Sequence, residues 1–176
     1  MALRLSDGDN KNNKMSFSII VAVADNNAIG NKNELLCHVP GDLKRFKQIT
    51  SGHRVVMGRN TYLSLPVRPL KDRTNIVISD RPDEFFEGCL MARSVGEAAE
   101  LCPAGEECFV IGGGMVYRQF LPLADKLYLT RVYKSFEADT FFPEISPDEW
   151  EEISRETFHP DERNDFSYAY ITYKRI

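Results

Sequence analysis

The stretch ECFVIGGGMVYRQFLPLA, residues 107–124, decides the fold because it predicts a complete strand, turn and helix. Its opening apolar run is typical of a strand buried on both faces of a sheet. Three consecutive glycines then precede a segment with helical character. Glycines at such a turn let the backbone approach a phosphate group closely. By itself, the turn is equally consistent with a tight connection that binds nothing.

Strand and helix patterns alternate along most of the remaining chain. FSIIVAVA (17–24) predicts a first buried strand, and HRVVMG (53–58) predicts a second that enters the short helix RNTYLSL. Later strands are predicted at TNIVIS, CLMA and KLYLTRVY, and SVGEAAEL predicts a helix with capping-box spacing from Ser94 to Glu97. DTFFP predicts a short strand, and WEEISRETF and SYAYITYKR predict an antiparallel hairpin. This order predicts an α/β fold with a largely parallel central sheet flanked by helices.

Length and composition limit the class of protein. The chain has 176 residues, which fits one domain, and its net charge of −4 gives no general attraction for nucleic acid or anionic membrane. We expect residues 1–15 to form a flexible tail or tag before a single domain, residues 16–176. No apolar run approaches the roughly 20 residues that span a bilayer, so we expect a cytoplasmic protein. The spacing of the four cysteines favours free thiols and predicts no metal site.

An acidic residue, Asp42, occupies a position where the helical pattern predicts an apolar one, in the segment VPGDLKRFKQIT. In a helix that begins near Gly41, Asp42 shares a face with Phe46 and Ile49, and we expect Lys44, Arg45, Lys47 and Gln48 to face solvent. A first-turn acid can be a simple helix cap, and this segment alone favours that interpretation. The preceding loop, residues 25–36, is predicted to lack regular structure and to act as a mobile lid.

Three other features concern binding. MGRNTY, residues 57–62, is a second strand-to-helix turn, and two such turns suit a ligand with separated phosphates, such as a dinucleotide. The loop PVRPLKDR carries Arg68, Lys71 and Arg73, which could hold a carboxylate or could be solvated charge. The three histidines lie in no recognisable nucleophile motif, and the paired glutamates are more simply solvated charge than a glycosidase pair.

Together these segments resemble dihydrofolate reductase of the bacterial chromosomal type. The resemblance rests on SIIVAVADNNAIGNKNELL, VPGDLKRFKQIT, VVMGRNTY, RPLKDRTNIVIS, FVIGGGMVYRQFLPLADKLYLTRV and ADTFFP, in this order. It implies a doubly wound, mostly parallel sheet of about eight strands, with an antiparallel C-terminal hairpin and about four flanking helices. It also implies NADPH-dependent reduction of 7,8-dihydrofolate to tetrahydrofolate for one-carbon metabolism, by hydride transfer with protonation at N5. The implied ligands include antifolate inhibitors, and the implied oligomeric state is a monomer.

The same resemblance assigns roles to individual residues. Asp42 would be the catalytic carboxylate, with Arg73 on the substrate's glutamate and Arg68 a weaker candidate. The substrate-binding set is Ile20, Ala22, Leu35, Asp42, Phe46, Leu65, Leu70, Arg73, Ile111 and Thr130. The cofactor-binding set is Ala22, Ile29, Gly58, Arg59, Asn60, Thr61, Ser79, Ile111, Gly112, Gly113, Gly114, Met115, Val116 and Tyr117. A cis peptide is implied between Gly112 and Gly113, and Asp139 would hydrogen-bond the lid.

Three positions depart from the family pattern. Cys37 replaces a Trp that usually packs on the pterin site, and Leu36 replaces a common Pro in the lid. Asp80 stands where a small hydroxyl residue often helps to hold the cofactor's 2′-phosphate, although Arg81 or Arg93 could compensate for its charge. Two rival functions remain: a reductase of the same fold for another nucleotide-derived heterocycle, and a binding protein with a degenerate site. Asp42 and Arg73 argue against the first, and the intact glycine turn argues against the second.

Overall fold

A computed structural model of the protein describes residues 14–176. The predicted tail, residues 1–15, lies almost entirely outside the described residues. The strands are β1 Ser16–Ala24, β2 Ala28–Gly30, β3 Arg54–Gly58, β4 Thr74–Ile78, β5 Cys89–Ala92, β6 Glu107–Gly112, β7 Lys126–Val132, β8 Thr140–Phe141, β9 Trp150–Phe158 and β10 Tyr168–Arg175. The helices are α1 Asp42–Thr50, α2 Arg59–Ser64, α3 Val95–Glu100 and α4 Gly114–Phe120, followed by a 3₁₀ turn at Leu121–Leu123.

Eight of these strands form one sheet in the order β5-β4-β3-β6-β1-β7-β10-β9. From β5 to β7 in this sheet order, each strand pairs in parallel with the next. Strand β10 pairs antiparallel with both β7 and β9. The predicted fold class, a doubly wound and mostly parallel sheet with an antiparallel C-terminal hairpin, is therefore confirmed. Within residues 14–176, no helix is long and apolar enough to cross a membrane.

The sheet separates two apolar layers because alternate side chains of a strand point to opposite faces. On one face, Ile19, Val21 and Val23 pack with side chains from α3 and α4. On the other face, Ile20 packs in a second cluster with Phe46 and Ile49 of α1 and with residues around α2. The second layer is the less enclosed of the two, because many of its members are only partly buried.

Two local predictions were wrong. Residues 25–36 were expected to lack regular structure, but they contain β2, which pairs antiparallel with β8. Arg45 was expected to face solvent, but its guanidinium carbon lies 4.2 Å from the centroid of the Tyr170 ring. A long cationic side chain can cover an aromatic face with its planar head, so α1 is held against β10 by this contact.

The helix beginnings follow their sequence signals. The Ser94 hydroxyl accepts a hydrogen bond from the Glu97 backbone N–H at 3.1 Å, as the capping box predicts. The Glu97 carboxylate accepts from the backbone N–H of Arg93 at 2.6 Å, one residue earlier than in the standard box. Gly41 precedes α1 with a φ of 79°, a left-handed conformation in which glycine carries no Cβ penalty.

Candidate active site

The carboxyl ends of β1, β3, β4, β6 and β7 meet at one edge of the sheet because these strands are parallel. This is where ligands bind in open α/β sheets. Helix α1 starts at this edge of the sheet, and Asp42 is its first residue. The turn at Gly58, the end of β4 before Ser79 and the glycine turn after β6 lie along the same edge.

Asp42 is half-buried and is held by one neutral donor. The Thr130 hydroxyl donates to its Oδ1 at 2.8 Å, and Thr130 itself is 3% exposed. In the sheet, Thr130 lies between Ala22 of β1 and Tyr170 of β10. Burial raises the pKa of Asp42 above its usual range, and the Thr130 hydrogen bond and the charge of Arg45 oppose this rise only in part. The carboxylate therefore has unused acceptor capacity in a partly desolvated place.

An apolar wall lies on the same face of the sheet. The structure brings together most of the apolar residues predicted to bind substrate, which all belong to the second cluster: Ile20, Phe46, Leu65, Leu70 and Ile111. Four of them are only partly buried, so they can still bury surface against a ligand. Leu35 is not in this cluster, and 78% of its surface is exposed.

The two candidate arginines are oriented differently. The Arg73 guanidinium donates to the Thr50 hydroxyl at 3.3 Å and to the Lys71 carbonyl at 2.8 Å, with its carbon 5.8 Å from the centroid of the Phe46 ring. Partial burial lowers the pKa of Arg73 from its ordinary value. Arg68 instead donates to the Leu63 carbonyl at 2.7 Å, beside α2. Arg73 is therefore the arginine that lies next to the apolar wall.

The glycine turn is packed on all sides. The Gly112–Gly113 peptide is cis, and Gly112 has a φ of 124°. A Cβ at Gly112 would lie 3.3 Å from the Tyr117 ring, one at Gly113 would lie 3.3 Å from the Thr61 hydroxyl, and one at Gly114 would lie 2.5 Å from the Thr140 methyl. A side chain at any of these positions would press against Tyr117, Thr61 or Thr140, so the packing of the chain itself favours glycine at all three.

The helix after this turn has both buried and exposed members of the predicted cofactor set. Tyr117 is buried, and its hydroxyl donates to the carbonyls of Ile20 and Ile111, each at 2.8 Å. Val116 is also buried and would touch a Cβ at Gly58 at 3.2 Å. Met115 is 72% exposed. Tyr117 thus links the middle of β1 to the end of β6 beneath the turn, while Met115 faces outward.

Arg59 is engaged by an acid that sequence reasoning missed. Its Nε donates to both carboxylate oxygens of Glu84, at 2.7 and 2.8 Å. The Ser79 hydroxyl donates to the same carboxylate at 2.6 Å. From the sequence, Asp80 was instead expected to be the acid near the 2′-phosphate position, and Asp80 is exposed in the structure. No local pattern in PDEFFEG could have identified Glu84, because its partner lies 25 residues earlier in the chain.

The predicted lid is tied to the β8 region, and Cys37 lies at its far end. Asp139 accepts a hydrogen bond from the Lys32 backbone N–H at 2.9 Å, and its own N–H donates to the Gly30 carbonyl at 3.2 Å. Cys37 packs partly buried against a third small cluster that includes Val39. Burial, and secondarily the charge of Asp42, raise the pKa of this thiol.

Comparisons with known proteins agree with this geometry. The sequence profile of the family described as "Dihydrofolate reductase" matches residues 16–175. The chain belongs to the dihydrofolate reductase family. It is 42% identical to a dihydrofolate reductase of Bacillus subtilis (strain 168) over 159 residues, which cover 90% of this chain and 94% of that protein. It is also 42% identical to the Haemophilus influenzae dihydrofolate reductase over 161 residues, 92% and 99% of the two chains.

A solved structure of another family member extends the agreement to three dimensions. It is dihydrofolate reductase from Enterococcus faecalis complexed with NADP(H) and RAB-propyl. The two structures superpose with a TM-score of 0.83 at 36% identity, over 91% of this chain and 96% of that one. The resemblance drawn from the sequence motifs, to an NADPH-dependent oxidoreductase family, is therefore confirmed.

Proposed function

We propose that this chain reduces 7,8-dihydrofolate to tetrahydrofolate with NADPH, and that Asp42 is its catalytic carboxylate. The observation that carries the proposal is the placement of Asp42: half-buried, anchored by Thr130 and located at the ligand-binding edge of the sheet. A pterin ring presents an N–H and an amino group side by side, and a carboxylate accepts hydrogen bonds from both. Partial desolvation strengthens such a charge-assisted pair.

Asp42 also supports proton delivery. Burial raises the pKa of Asp42 because the ionised carboxylate has lost part of its hydration, so it gains more from the pterin's N–H donors than an exposed carboxylate would. Hydrogen-bonded to the pterin, it favours a protonated or tautomeric ring and thereby helps a proton reach N5. We assign the remaining substrate contacts to Ala22, Leu35 and the apolar wall described above, with Arg73 on the glutamate carboxylate. A guanidinium fork matches that group bidentately.

The residues at the glycine turn fit NADPH. At Gly112–Gly114 no side chain keeps a phosphate group away from the backbone, and the Thr61 hydroxyl lies beside Gly113. Bound NADPH would supply the hydride. We propose that the chain orients it with Ala22, Ile29, Gly58, Arg59, Asn60, Thr61, Ser79, Ile111, Gly112, Gly113, Gly114, Met115, Val116 and Tyr117. The lid, held to Asp139, would exclude water from the reacting carbons.

Turnover assays test this proposal directly. NADPH absorbance is followed with dihydrofolate for the wild type, for Asp42→Asn and for the exposed control Asp148→Asn. We expect turnover in the wild type and the control, and a loss of about a hundredfold or more in Asp42→Asn at neutral pH, as for removal of a general acid–base group. Recovery should be partial as the pH falls, because the substrate then arrives already protonated. Wild-type protein without turnover, or an Asp42→Asn variant with full activity, would contradict the mechanism.

A substrate panel separates the rival functions. If another nucleotide-derived heterocycle were reduced faster than dihydrofolate, the substrate assignment would be wrong. Tight dihydrofolate binding without NADPH oxidation would indicate a binding protein instead.

We further propose that residues 16–176 form one monomeric catalytic domain, preceded by a tail at residues 1–15, and that the protein works in the cytoplasm and binds antifolate inhibitors. Light scattering tests the monomer, and removal of residues 1–15 with unchanged kcat tests the domain boundary. A dimer in solution, or loss of activity on truncation, would contradict these assignments.

A further inference from the structure

We propose that Glu84 is a specificity-determining residue that competes with the cofactor's 2′-phosphate for Arg59. The inference rests on the proposed function, because it takes Arg59 as a cofactor ligand. The Glu84 carboxylate is already bound to Arg59 within the chain. Glu84 would act through Arg59, by occupying the position where an anion of the cofactor has to bind.

The contacts at Glu84 are those of a built anion site. Arg59 donates to both of its carboxylate oxygens at 2.7 and 2.8 Å, and the Ser79 hydroxyl donates to one of them at 2.6 Å. Nη1 of Arg81 lies 3.9 Å from the other oxygen. The Glu84 side chain is only 14% exposed and that of Arg59 only 27%. One hydroxyl and two guanidinium groups therefore surround a single, largely enclosed carboxylate.

The loop that carries Glu84 is fixed in this arrangement. The Arg93 guanidinium donates to the carbonyl oxygens of Arg81 at 2.6 Å, Glu84 at 2.9 Å and Ser79 at 3.4 Å. These three bonds hold residues 79–84 close to the end of β4. Because its guanidinium is engaged with the backbone, Arg93 supports the position of Glu84, while Arg59 is the cation in direct contact with the carboxylate and Arg81 lies farther away.

A phosphate on the 2′ position of the cofactor needs the same donors. To bind Arg59 it must displace Glu84 or approach a second anion closely, and both reduce the affinity gained from the phosphate. NADH carries a 2′-hydroxyl, which can donate to a carboxylate at this place. Glu84 therefore narrows the preference of this chain for NADPH over NADH. Asp80, which the sequence suggested for this effect, is exposed and contributes less.

Binding of cofactor fragments isolates the effect from turnover. Titration calorimetry compares 2′,5′-ADP with 5′-ADP on the wild type and on Glu84→Gln, Asp80→Asn and Asp83→Asn. All three substitutions remove one negative charge from the same loop, but only Glu84→Gln breaks the Arg59 pair. We expect Glu84→Gln to bind 2′,5′-ADP about three- to tenfold more tightly, the scale of a partly screened ion pair, with 5′-ADP changed less than about twofold.

Kinetics give an independent measure. In Glu84→Gln the KM for NADPH should fall by a similar factor, while kcat stays close to wild type and the KM for NADH does not fall. A weaker affinity for 2′,5′-ADP in Glu84→Gln, an equal gain in the two charge controls, or failure of every variant to bind 2′,5′-ADP would overturn the proposal. Because the calorimetry needs no dihydrofolate, a wild type that does not reduce dihydrofolate would count against the proposed reaction alone.

A second variant guards against a folding defect. Glu84→Asp keeps the charge but shortens the side chain, so it loosens the contact with Arg59. It should show a smaller gain in 2′,5′-ADP affinity than Glu84→Gln, and unchanged affinity in this variant together with an unfolded Glu84→Gln would count against the proposal.

Discussion

Asp42 and Arg59 lie at the same edge of the sheet, but their surroundings prepare them differently for a ligand. Asp42 accepts one side-chain hydrogen bond, from a neutral threonine, and burial raises its pKa. Arg59 is bound by both oxygens of the Glu84 carboxylate. The proposed substrate side therefore leaves its carboxylate available, whereas on the proposed cofactor side the Nε of Arg59 is already paired with a carboxylate of the chain.

This difference determines how much affinity a ligand can gain at Asp42 and at Arg59. A ligand at Asp42 adds hydrogen bonds to a group that has acceptor capacity to spare, so the gain is direct. An anion at Arg59 replaces an existing partner, so only the difference between the two partners appears in the affinity. Removing a carboxylate should thus weaken function on the first side and strengthen cofactor binding on the second.

The largest expected effect comes from a change that disturbs both sides at once. Gly112→Ala places a Cβ at a φ of 124° and 3.3 Å from the ring of Tyr117, whose hydroxyl joins the middle of β1 to the end of β6. We expect the free energy of unfolding to fall by about 2–4 kcal/mol, from backbone strain and overpacking together. Urea denaturation measures this loss.

Gly52→Ala is the matched control for Gly112→Ala. Gly52 has a φ of 80°, but an added Cβ would meet nothing within 4 Å. The control should lose only about 1 kcal/mol, the cost of a left-handed non-glycine residue. Equal losses in the two variants would show that the packing against Tyr117 contributes nothing.

Thr130→Val tests the substrate side alone. It preserves shape but removes the hydroxyl that lowers the pKa of Asp42, so that pKa should rise further. We expect kcat/KM for dihydrofolate to fall about tenfold at pH 7, the value of one hydrogen bond to a charged group, with the midpoint of the pH profile moved upward. The exposed Thr157→Val on β9 should change neither quantity. A profile that stayed in place in Thr130→Val would show that the threonine does not tune Asp42.

The ionised carboxylate of Asp42 should also lower the free energy of unfolding. Because the folded-state pKa of Asp42 lies above its ordinary value, the folded protein binds the proton more tightly than the unfolded chain. The ionised group therefore costs stability, with no cost below the ordinary Asp pKa of 3.8 and the full cost above the raised value. Asp42→Asn should accordingly raise the free energy of unfolding by about 0.5–1 kcal/mol at pH 7.

Urea denaturation at pH 7 and near pH 4 checks the sign of this effect. The gain of Asp42→Asn over wild type should shrink as the pH falls, and Asp148→Asn should show no comparable gain. A loss of stability at pH 7 would mean that the carboxylate is better satisfied in the folded state than its burial indicates.

The sequence predicted the parts of this comparison that depend on local patterns. Apolar runs and glycines predicted the strands and both turns, and helical spacing placed Asp42 beside Phe46. The family resemblance, rather than the spacing, named Thr130 as a binding residue, since it lies 88 residues from Asp42. The motifs thus predicted where Asp42 lies in the fold, because that residue belongs to a regular helix.

The parts that were missed depend on side chains that meet across the fold. Helical periodicity predicted that Arg45 faces solvent, because it carries no information about the Tyr170 ring that strand β10 presents to α1. Strand β2, three residues long, is too short to show an alternating pattern. Glu84 lies in a loop with no periodicity, and its role depends on a partner held by another element.

The smallest predicted effect lies in the lid that would cover both sides. In Asp139→Asn the lid loses a charged acceptor for the Lys32 N–H, the contact that contributes most to the lowered pKa of Asp139. Because the group is exposed to solvent, the lid should only open more often, and kcat/KM should fall about two- to fourfold, typical of one exposed charged contact. Stopped-flow hydride transfer should slow by a similar factor, whereas Glu144→Gln, an exposed carboxylate just beyond β8, should match wild type. If Asp139→Asn weakened NADPH while leaving dihydrofolate binding intact, the lid would belong to the cofactor side, and the contrast between Asp42 and Arg59 would extend to the segment that closes over them.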